Sequence, residues 1–278
     1  PVRPFHLSVS IVTYNNAAEM LRRVLCSLQV SAENARDAGL LERVDVILVD
    51  NSSDSPARDG LSALVGSWMG DDFFRIDYRK QPENLGFGVG HNSVLPALSS
   101  DVHLVLNPDA ELAKDALKVG LLTLEEEPDI ALLSPRVAAE DGRQEFLCKR
   151  YPTVLVLALR AFAPGFVQRL FQRRLDHYEM RDRCAGDTPV DVVLASGCFM
   201  LVRTYALRTI GGFSHDYFLY FEDFDLCLRL REQGRLVFEP AMRIVHHGGY
   251  AARKGLQHVR YFVRSGITFF NQHGWRWI

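Results

Sequence analysis

Leu7-Ser8-Val9-Ser10-Ile11-Val12-Thr13 is the stretch on which the fold turns. Apolar and β-branched residues alternate there with small polar ones, so it reads as a strand, and the turn-forming pair Asn15-Asn16 ends it. Leu21, Val24, Leu25 and Leu28 then recur at helical spacing and form one apolar stripe, which predicts a helix lying on a sheet. Val44-Asp45-Val46-Ile47-Leu48-Val49 reads as a second, buried strand, stopped by Asp50-Asn51-Ser52-Ser53. The helical stripe returns at Leu61, Leu64, Val65 and Trp68, Phe74-Ile76-Tyr78 supplies a third strand, and Val102-His103-Leu104-Val105-Leu106 a fourth. Strands alternating with helices predict an α/β fold with a mostly parallel central sheet flanked by helices. In such sheets ligands bind beyond the carboxyl ends of the strands, so Thr13–Asn15, Asp50–Ser52 and Asn107–Asp109 are expected to converge.

Composition narrows the function. Lys and Arg number 32 against 34 Asp and Glu, a net charge of −2 that gives no broad surface for nucleic acid. No apolar run reaches the ~18 residues of a membrane span, and Pro1-Val2-Arg3-Pro4 carries no signal-peptide core. Cys26, Cys148, Cys184, Cys198 and Cys227 make an odd set without a C-x-x-C pair, which fits reduced thiols in a cytoplasmic setting.

The second half is less regular. Leu117, Leu121, Leu122 and Leu124 predict a helix closed by Pro128, Ile130–Ser134 a strand, and Val192–Leu194 with Phe199–Val202 further strand material around Ser196-Gly197. Phe221 to Gln233 reads as a helix stopped by Gly234. Residues 154–174 mix Leu, Val and Phe with Arg160, Arg169, Arg173 and Arg174 and are broken by Pro164-Gly165. A helix pair packed on the core, with the arginines in solvent, is favoured over an interfacial hairpin at a membrane surface. No repeat or linker divides the chain, which is read as one domain over 1–278. Trp275 and Trp277 face either the core or a partner, and no oligomeric state follows from the sequence.

Four places carry chemistry. Asn107-Pro108-Asp109 ends a strand and offers a hard carboxylate oxygen for a divalent cation and phosphate, although a lone Asx-Pro turn is the commoner meaning. Asn84-Leu85-Gly86-Phe87-Gly88-Val89-Gly90-His91-Asn92 lets backbone approach a ligand, but it lacks G-x-G-x-x-G spacing and follows a later strand, which argues against a dinucleotide-binding dehydrogenase. Glu222, Asp223 and Asp225 open a helix, where the macrodipole favours acids. Phe218, Tyr220, Phe221 and Phe224 would partly desolvate them, and that balance of raised and lowered pKa suits a general base. His246-His247-Gly248-Gly249 closes a strand-like segment with imidazoles able to meet a metal or a diphosphate.

The ordered set Thr13-Tyr14-Asn15, Val49-Asp50-Asn51-Ser52-Ser53, Asn84-x-Gly86-Phe87-Gly88, Asn107-Pro108-Asp109, Ser196-Gly197, Gly211-Gly212-Phe213 and Glu222-Asp223-x-Asp225 resembles glycosyltransferase family 2, and most resembles its rhamnosyltransferase-like bacterial branch. The resemblance implies a GT-A (Rossmann-like) fold with a nucleotide-sugar half over about 1–110 and a smaller acceptor-side subregion with C-terminal helices over about 111–278. It implies an inverting, Mg²⁺- or Mn²⁺-assisted transfer of a sugar from a dTDP-, UDP- or GDP-sugar to a glycan or lipid-linked glycan acceptor. Thr13, Tyr14, Asn15, Asp50, Asn51, Asn84, Gly86, Gly88, Asn107 and Asp109 would line the nucleotide-sugar site. Asp109 and His246 (or His247) would hold the metal, Asp223 would be the general base, and Ser196, Gly197, Glu222 and Asp225 would position acceptor and donor. Asn107 stands where many relatives carry the first Asp of D-x-D, and Ser214-His215 replaces the Asp-Glu common after Gly-Gly-Phe. The leading expectation is rhamnosyl transfer from dTDP-L-rhamnose to a cell-surface glycan precursor in the cytoplasm, with contact of residues 154–174 to a lipid-linked acceptor at the inner face of a bacterial inner membrane a separate hypothesis. A non-catalytic sugar-binding module of the same fold is the alternative. A nucleotide-sugar pyrophosphorylase would want a basic glycine-rich loop after the first strand, which Thr13-Tyr14-Asn15-Asn16 does not supply.

Overall fold

The computed structural model describes residues 3–53, 56–68, 71–248 and 256–278. Pro1, Val2 and Gly249, on which the sequence reading drew, lie outside them. The first half follows the expected alternation: β1 (Phe5–Thr13), α1 (Ala18–Asp37), β2 (Leu41–Asp50), α2 (Pro56–Ser67), β3 (Phe74–Lys80), α3 (Phe87–Asn92) and β4 (Val102–Leu106). Then come β5 (Ala110–Leu112), α4 (Ala116–Glu126), β6 (Ile130–Ala138), β7 (Gln144–Glu145), α5 (Val154–Phe162), α6 (Gly165–Leu170), α7 (Gln172–Tyr178) and α8 (Arg181–Cys184). The chain ends with β8 (Val190–Asp191), β9 (Phe199–Arg203), α9 (Thr204–Thr209), α10 (Glu222–Leu230), β10 (Arg235–His246) and α11 (Leu256–His273).

One sheet runs in the order β3-β2-β1-β4-β9-β6-β10-β5. Strands β3, β2, β1 and β4 are parallel, and β10 is parallel to β6, whereas β9 is antiparallel to both β4 and β6. In β1, Leu7, Val9 and Ile11 face Leu21, Val24, Leu25 and Leu28 of α1, all fully buried, and each such side chain contributes ~1.5–3 kcal/mol by leaving water. Ser8 and Ser10 face the other way. They join Ser100, Thr204, His103 and His91 in a buried chain of hydrogen bonds of 2.6–3.0 Å. On the far side of β4, Val105, Met200 and Val202 pack with Phe213 and with Leu226 of α10. Because Thr13 pairs with Asp50 and Ile11 with Leu106, the three strand-end clusters share one edge.

Three local expectations change. Val192–Leu194 does not extend a strand: only Val190 and Asp191 pair with β10, after which the chain turns so that Leu194 bridges Lys149. Helix α10 ends at Leu230, and Gly234 serves instead to let the backbone close on Asp129 and Ala131, where a Cβ would collide. The 154–174 segment splits into α5, α6 and the start of α7, because Pro164 donates no N–H and Phe171 leaves helical geometry; α5 packs through Val156 and Leu159 on Leu175 and Tyr178 of α7, with the arginines exposed, and only α6 departs from the expected packed pair. Helix α6 buries none of its residues, so Phe166 and Leu170 stand 69% and 80% exposed. Trp275 and Trp277 stack on each other and, through Phe270, on α11, while Arg276 and Trp277 carbonyls accept N–H groups from Val154 and Leu155.

Candidate active site

This edge of the sheet is built by strand ends that bond to one another. Asp50 is fully buried; Thr13 Oγ1 (3.3 Å) and Ser52 N–H (2.9 Å) donate to Oδ1, Tyr78 OH (2.6 Å) donates to Oδ2, and Arg58 lies 3.5 Å from it. Burial alone would raise the Asp50 pKa, but Ser52, Tyr78 and Arg58 outweigh it and hold the carboxylate below its usual range. Any ligand that bonds to Asp50 therefore has to do so through these neighbours or by displacing one of them. Asn15 adopts φ 55° and donates its N–H to Ser52 Oγ (2.8 Å), which leaves Tyr14 half exposed at the rim. Asn51 Nδ2 bonds Gly86 O (3.1 Å) and Asn84 Oδ1 (3.4 Å), and Gly86 N–H donates to the same Asn84 oxygen (3.0 Å). The glycines have a packing reason: at φ 79° a Cβ on Gly86 would strike Phe218, and one on Gly88 would press on Phe213. Asn92 completes the seam between the halves, donating to Phe213 O (2.7 Å) and accepting from Phe213 N (2.8 Å).

At the end of β4, Asn107 donates its N–H to Cys198 O (2.9 Å), and Asp109 turns toward β10. Asp109 Oδ1 is a buried oxygen without a hydrogen-bond donor, 3.3 Å from His246 Nε2, while His246 Nδ1 lies 3.4 Å from Glu145 Oε2. Burial lowers the His246 pKa, but the two carboxylates together overcome it and raise the imidazole above its ordinary value. His247 turns elsewhere, with Glu111 at 2.9 Å and Glu140 at 2.5 Å. Among the described residues no group of three or more His, Cys, Asp or Glu forms a metal cage. The Asp109–His246 pair nevertheless fits a divalent cation: an orphaned hard oxygen adjoins an imidazole nitrogen whose partner nitrogen is oriented by Glu145, the usual arrangement behind a metal-ligating histidine.

Asp223 lies across the Ser196–Cys198 turn from that pair. Gly197 N–H donates to Asp223 Oδ2 (3.1 Å) and Phe224 N–H to Oδ1 (2.9 Å). Gly197 has no room for a side chain, because a Cβ would meet the Phe87 ring at 3.0 Å. Burial pushes the Asp223 carboxyl up to about 6, against the pull of the Gly197 and Phe224 N–H groups. Between the two sites the Cys198 thiol is pushed up to about 12 by its own burial, with Asp109 and Asp223 adding. Tyr220 and Phe221 enter α10 at φ 69° and 65°, a left-handed geometry costly for aromatic residues. The Phe221 ring, packed on Phe224, Phe262 and Phe269 at centroid distances of 5.2–5.6 Å, holds it. Glu222 is buried beside it, whereas Asp225 turns away to Arg229 (2.6 Å) and His273 (2.9 Å), tying α10 to α11. Asp223 also lines a cleft of about 360 Å³ with Lys149, Arg160, Tyr178, Tyr220 and Phe262. Sequence reasoning missed Tyr78, Arg58, Glu145 and Lys149, which carry no local motif; only the strand-end position of Tyr78 was a usable signal.

The arrangement of the sheet and its helices is that of the GT-A glycosyltransferases. A mannosyltransferase from Pyrobaculum calidifontis, solved with GDP-Man and Mn²⁺, superposes with a TM-score of 0.62 at 16% identity over 96% of this chain and 65% of that one. GalNAc-T7, solved with UDP, GalNAc and Mn²⁺, gives 0.66 at 13% over 98% of this chain and 48% of that one. Residues 8–211 match the sequence profile described as Glycosyl transferase family 2, and the chain belongs to that family. It is 27% identical, over 97% of its length and 86% of the relative's, to the N-acetylglucosaminyl-diphospho-decaprenol L-rhamnosyltransferase of Mycobacterium tuberculosis. It is 28% identical to the rhamnosyltransferase WbbL of Escherichia coli over 60% of this chain and 63% of that one. The protein is a glycosyltransferase, of a family in which transfer with inversion is typical. No helix among the described residues is long and apolar enough to cross a membrane.

Proposed function

We propose that this enzyme moves L-rhamnose, with inversion, from dTDP-L-rhamnose to a hydroxyl of a lipid-linked cell-surface glycan precursor. The observation that carries the transfer chemistry is Asp223: a carboxylate held by two backbone N–H groups, lining a cleft, and raised to about 6 by burial. A base of that strength is mostly ionised at neutral pH yet binds a proton more tightly than an exposed Asp. In this reading Asp223 takes the proton of the acceptor hydroxyl as its oxygen attacks the anomeric carbon opposite the leaving group, so a single displacement inverts configuration. Thr13, Tyr14, Asn15, Asp50, Asn51, Asn84, Gly86, Gly88 and Asn107 shape the nucleotide-sugar side, and Ser196, Gly197 and Glu222 the junction with the acceptor. Asp225 holds α10 in place. Asp109 and His246 would hold Mg²⁺ or Mn²⁺, which neutralises charge on the departing diphosphate. The whole chain acts as one domain, its two halves joined by the Asn92–Phe213 seam. The two rhamnosyltransferase relatives support the donor, and the lipid diphosphate in the name of one supports the acceptor class.

Exposed Phe162, Phe166 and Leu170 beside Arg169, Arg173 and Arg174 support peripheral contact with the cytoplasmic face of an anionic membrane. Co-sedimentation with anionic but not neutral vesicles is expected, and its absence would remove that contact. The donor is tested by thermal shift with dTDP-rhamnose, UDP-glucose, UDP-galactose and GDP-mannose, each with Mn²⁺ or EDTA. A ligand of the folded state raises the melting temperature. A metal-dependent rise with dTDP-rhamnose is expected; a larger rise with a UDP- or GDP-sugar would overturn the donor assignment.

A further inference from the structure

The cleft beside Asp223 has two walls of opposite charge. One is the start of α10, with Glu222 and Asp223; the other is made by Lys149, by Arg160 of α5 and by Tyr178 of α7. On the second wall Lys149 is 7% exposed, and its one hydrogen-bond acceptor among the described residues is the Phe146 carbonyl. An ammonium has three donors, so this side chain keeps capacity that burial ought to make costly. Glu179 is the carboxylate of this wall, 3.8 Å from Lys149 and paired with Arg160, and it is claimed by Arg181 at 2.7 Å as well. Three cations share one carboxylate there, although Arg181 also reaches Asp176 at 3.1 Å. The Lys149 ammonium and Arg160 guanidinium both lie over the Tyr178 ring, 5.7 Å from its centroid. Burial, with Arg160 adding, brings the Lys149 pKa down to about 8, the response of a buried cation short of anionic partners.

We infer that Lys149 and Arg160 form an anion subsite that binds a phosphate or diphosphate borne by the acceptor, next to the hydroxyl that Asp223 deprotonates. The inference rests on the transfer reading only for the word acceptor; the anion site itself stands on the cleft. Opposite charges on the two walls orient such a molecule. Its phosphates settle on Lys149 and Arg160 and are repelled by Glu222 and Asp223, which leaves the uncharged sugar hydroxyl at the base. Leu157 and Ala161 of α5 and Phe262 of α11 line the cleft, and exposed Phe162 follows on α5, which gives an alkyl tail apolar side chains to leave over.

The test uses the full-length protein with Lys149→Met and Arg160→Met, the second on a side chain 41% exposed that can be exchanged without opening the core. Calorimetry measures binding of decyl diphosphate and of inorganic pyrophosphate, and steady-state kinetics compare one acceptor sugar carried on decyl diphosphate or as a neutral decyl glycoside. Expected are binding of decyl diphosphate to the wild type, roughly tenfold or greater weakening in Arg160→Met, and a matching fall in the preference for the diphosphate acceptor over the neutral one. Pyrophosphate that binds as tightly as decyl diphosphate and is equally Arg160-dependent supports the phosphate contacts without the alkyl path. Equal binding of decyl diphosphate by wild type and Arg160→Met overturns the inference, as does an effect confined to the donor KM. Failure of the transfer reading looks different: no acceptor is converted, while decyl diphosphate binding still depends on Arg160.

Discussion

At the carboxyl ends of β1 and β2 both oxygens of Asp50 are already bonded and the loops are braced by Asn51, Asn84 and Ser52, whereas the cleft beside Asp223 gathers a buried Lys149 and a partly exposed Arg160 around one shared carboxylate, Glu179. The donor edge is organised before any ligand arrives, so little ordering entropy is lost on binding. The cleft beside Asp223 is framed by short helices and by left-handed Tyr220 and Phe221. In the function proposed above, a fixed leaving-group site facing this cleft suits an enzyme that takes one kind of activated donor to a bulky acceptor.

The comparison breaks most sharply at the base. Asp223→Asn should lower kcat by about 10²–10⁴-fold, with donor affinity in a binding assay unchanged; retained turnover would place the base elsewhere. Acid probes the half around β1. His91 and His103 are buried and held neutral, with pKa values lowered by desolvation to about 3, and the His103 charge adds to the effect at His91. In the unfolded chain both titrate near ~6.5, so as pH falls below that value the unfolded state binds protons first and stability drops. By pH 5 the loss should reach about 2 kcal/mol per histidine, read from urea unfolding at pH 7 and pH 5. The seam between the halves is tested by Gly212→Ala, where φ is 72° and a Cβ would overlap Asn92 and Leu95. A cost of about 1–3 kcal/mol is expected, with a lower unfolding midpoint by circular dichroism. At the other extreme, Phe166→Ser with Leu170→Ser on α6 should change stability by less than about 0.5 kcal/mol, because neither side chain is buried. A large loss there would mean that α6 covers the core.

What the sequence made legible follows the same division. Leu21–Leu28 and the run from Leu7 to Thr13 carry strong periodicity because each packs one face against one layer, and the strand-end polar residues Thr13, Asp50 and Asp109 could be placed from that pattern alone. The cluster of Glu222, Asp223 and Asp225 was legible because its acids and aromatics are adjacent in the chain, whereas Asp223 was singled out within it only by the family resemblance. Lys149, Glu145 and Tyr78 were not, since their meaning comes from partners 28 to 101 residues away, such as Asp50 for Tyr78 and His246 for Glu145. Within 154–174 the sequence marked the packed face of α5 but not the unburied α6, because an apolar helix reads the same whether its apolar side meets a core or faces outward.

The most direct test of the account is the pH dependence of kcat/KM, which reports ionisations of the free enzyme. A desolvated Asp223 acting as base predicts an acid limb with a midpoint near the value of about 6 set by its burial, missing from whatever residual activity Asp223→Asn retains. A profile flat from pH 5 to pH 8, or one whose acid limb survives unchanged in Asp223→Asn, would contradict it.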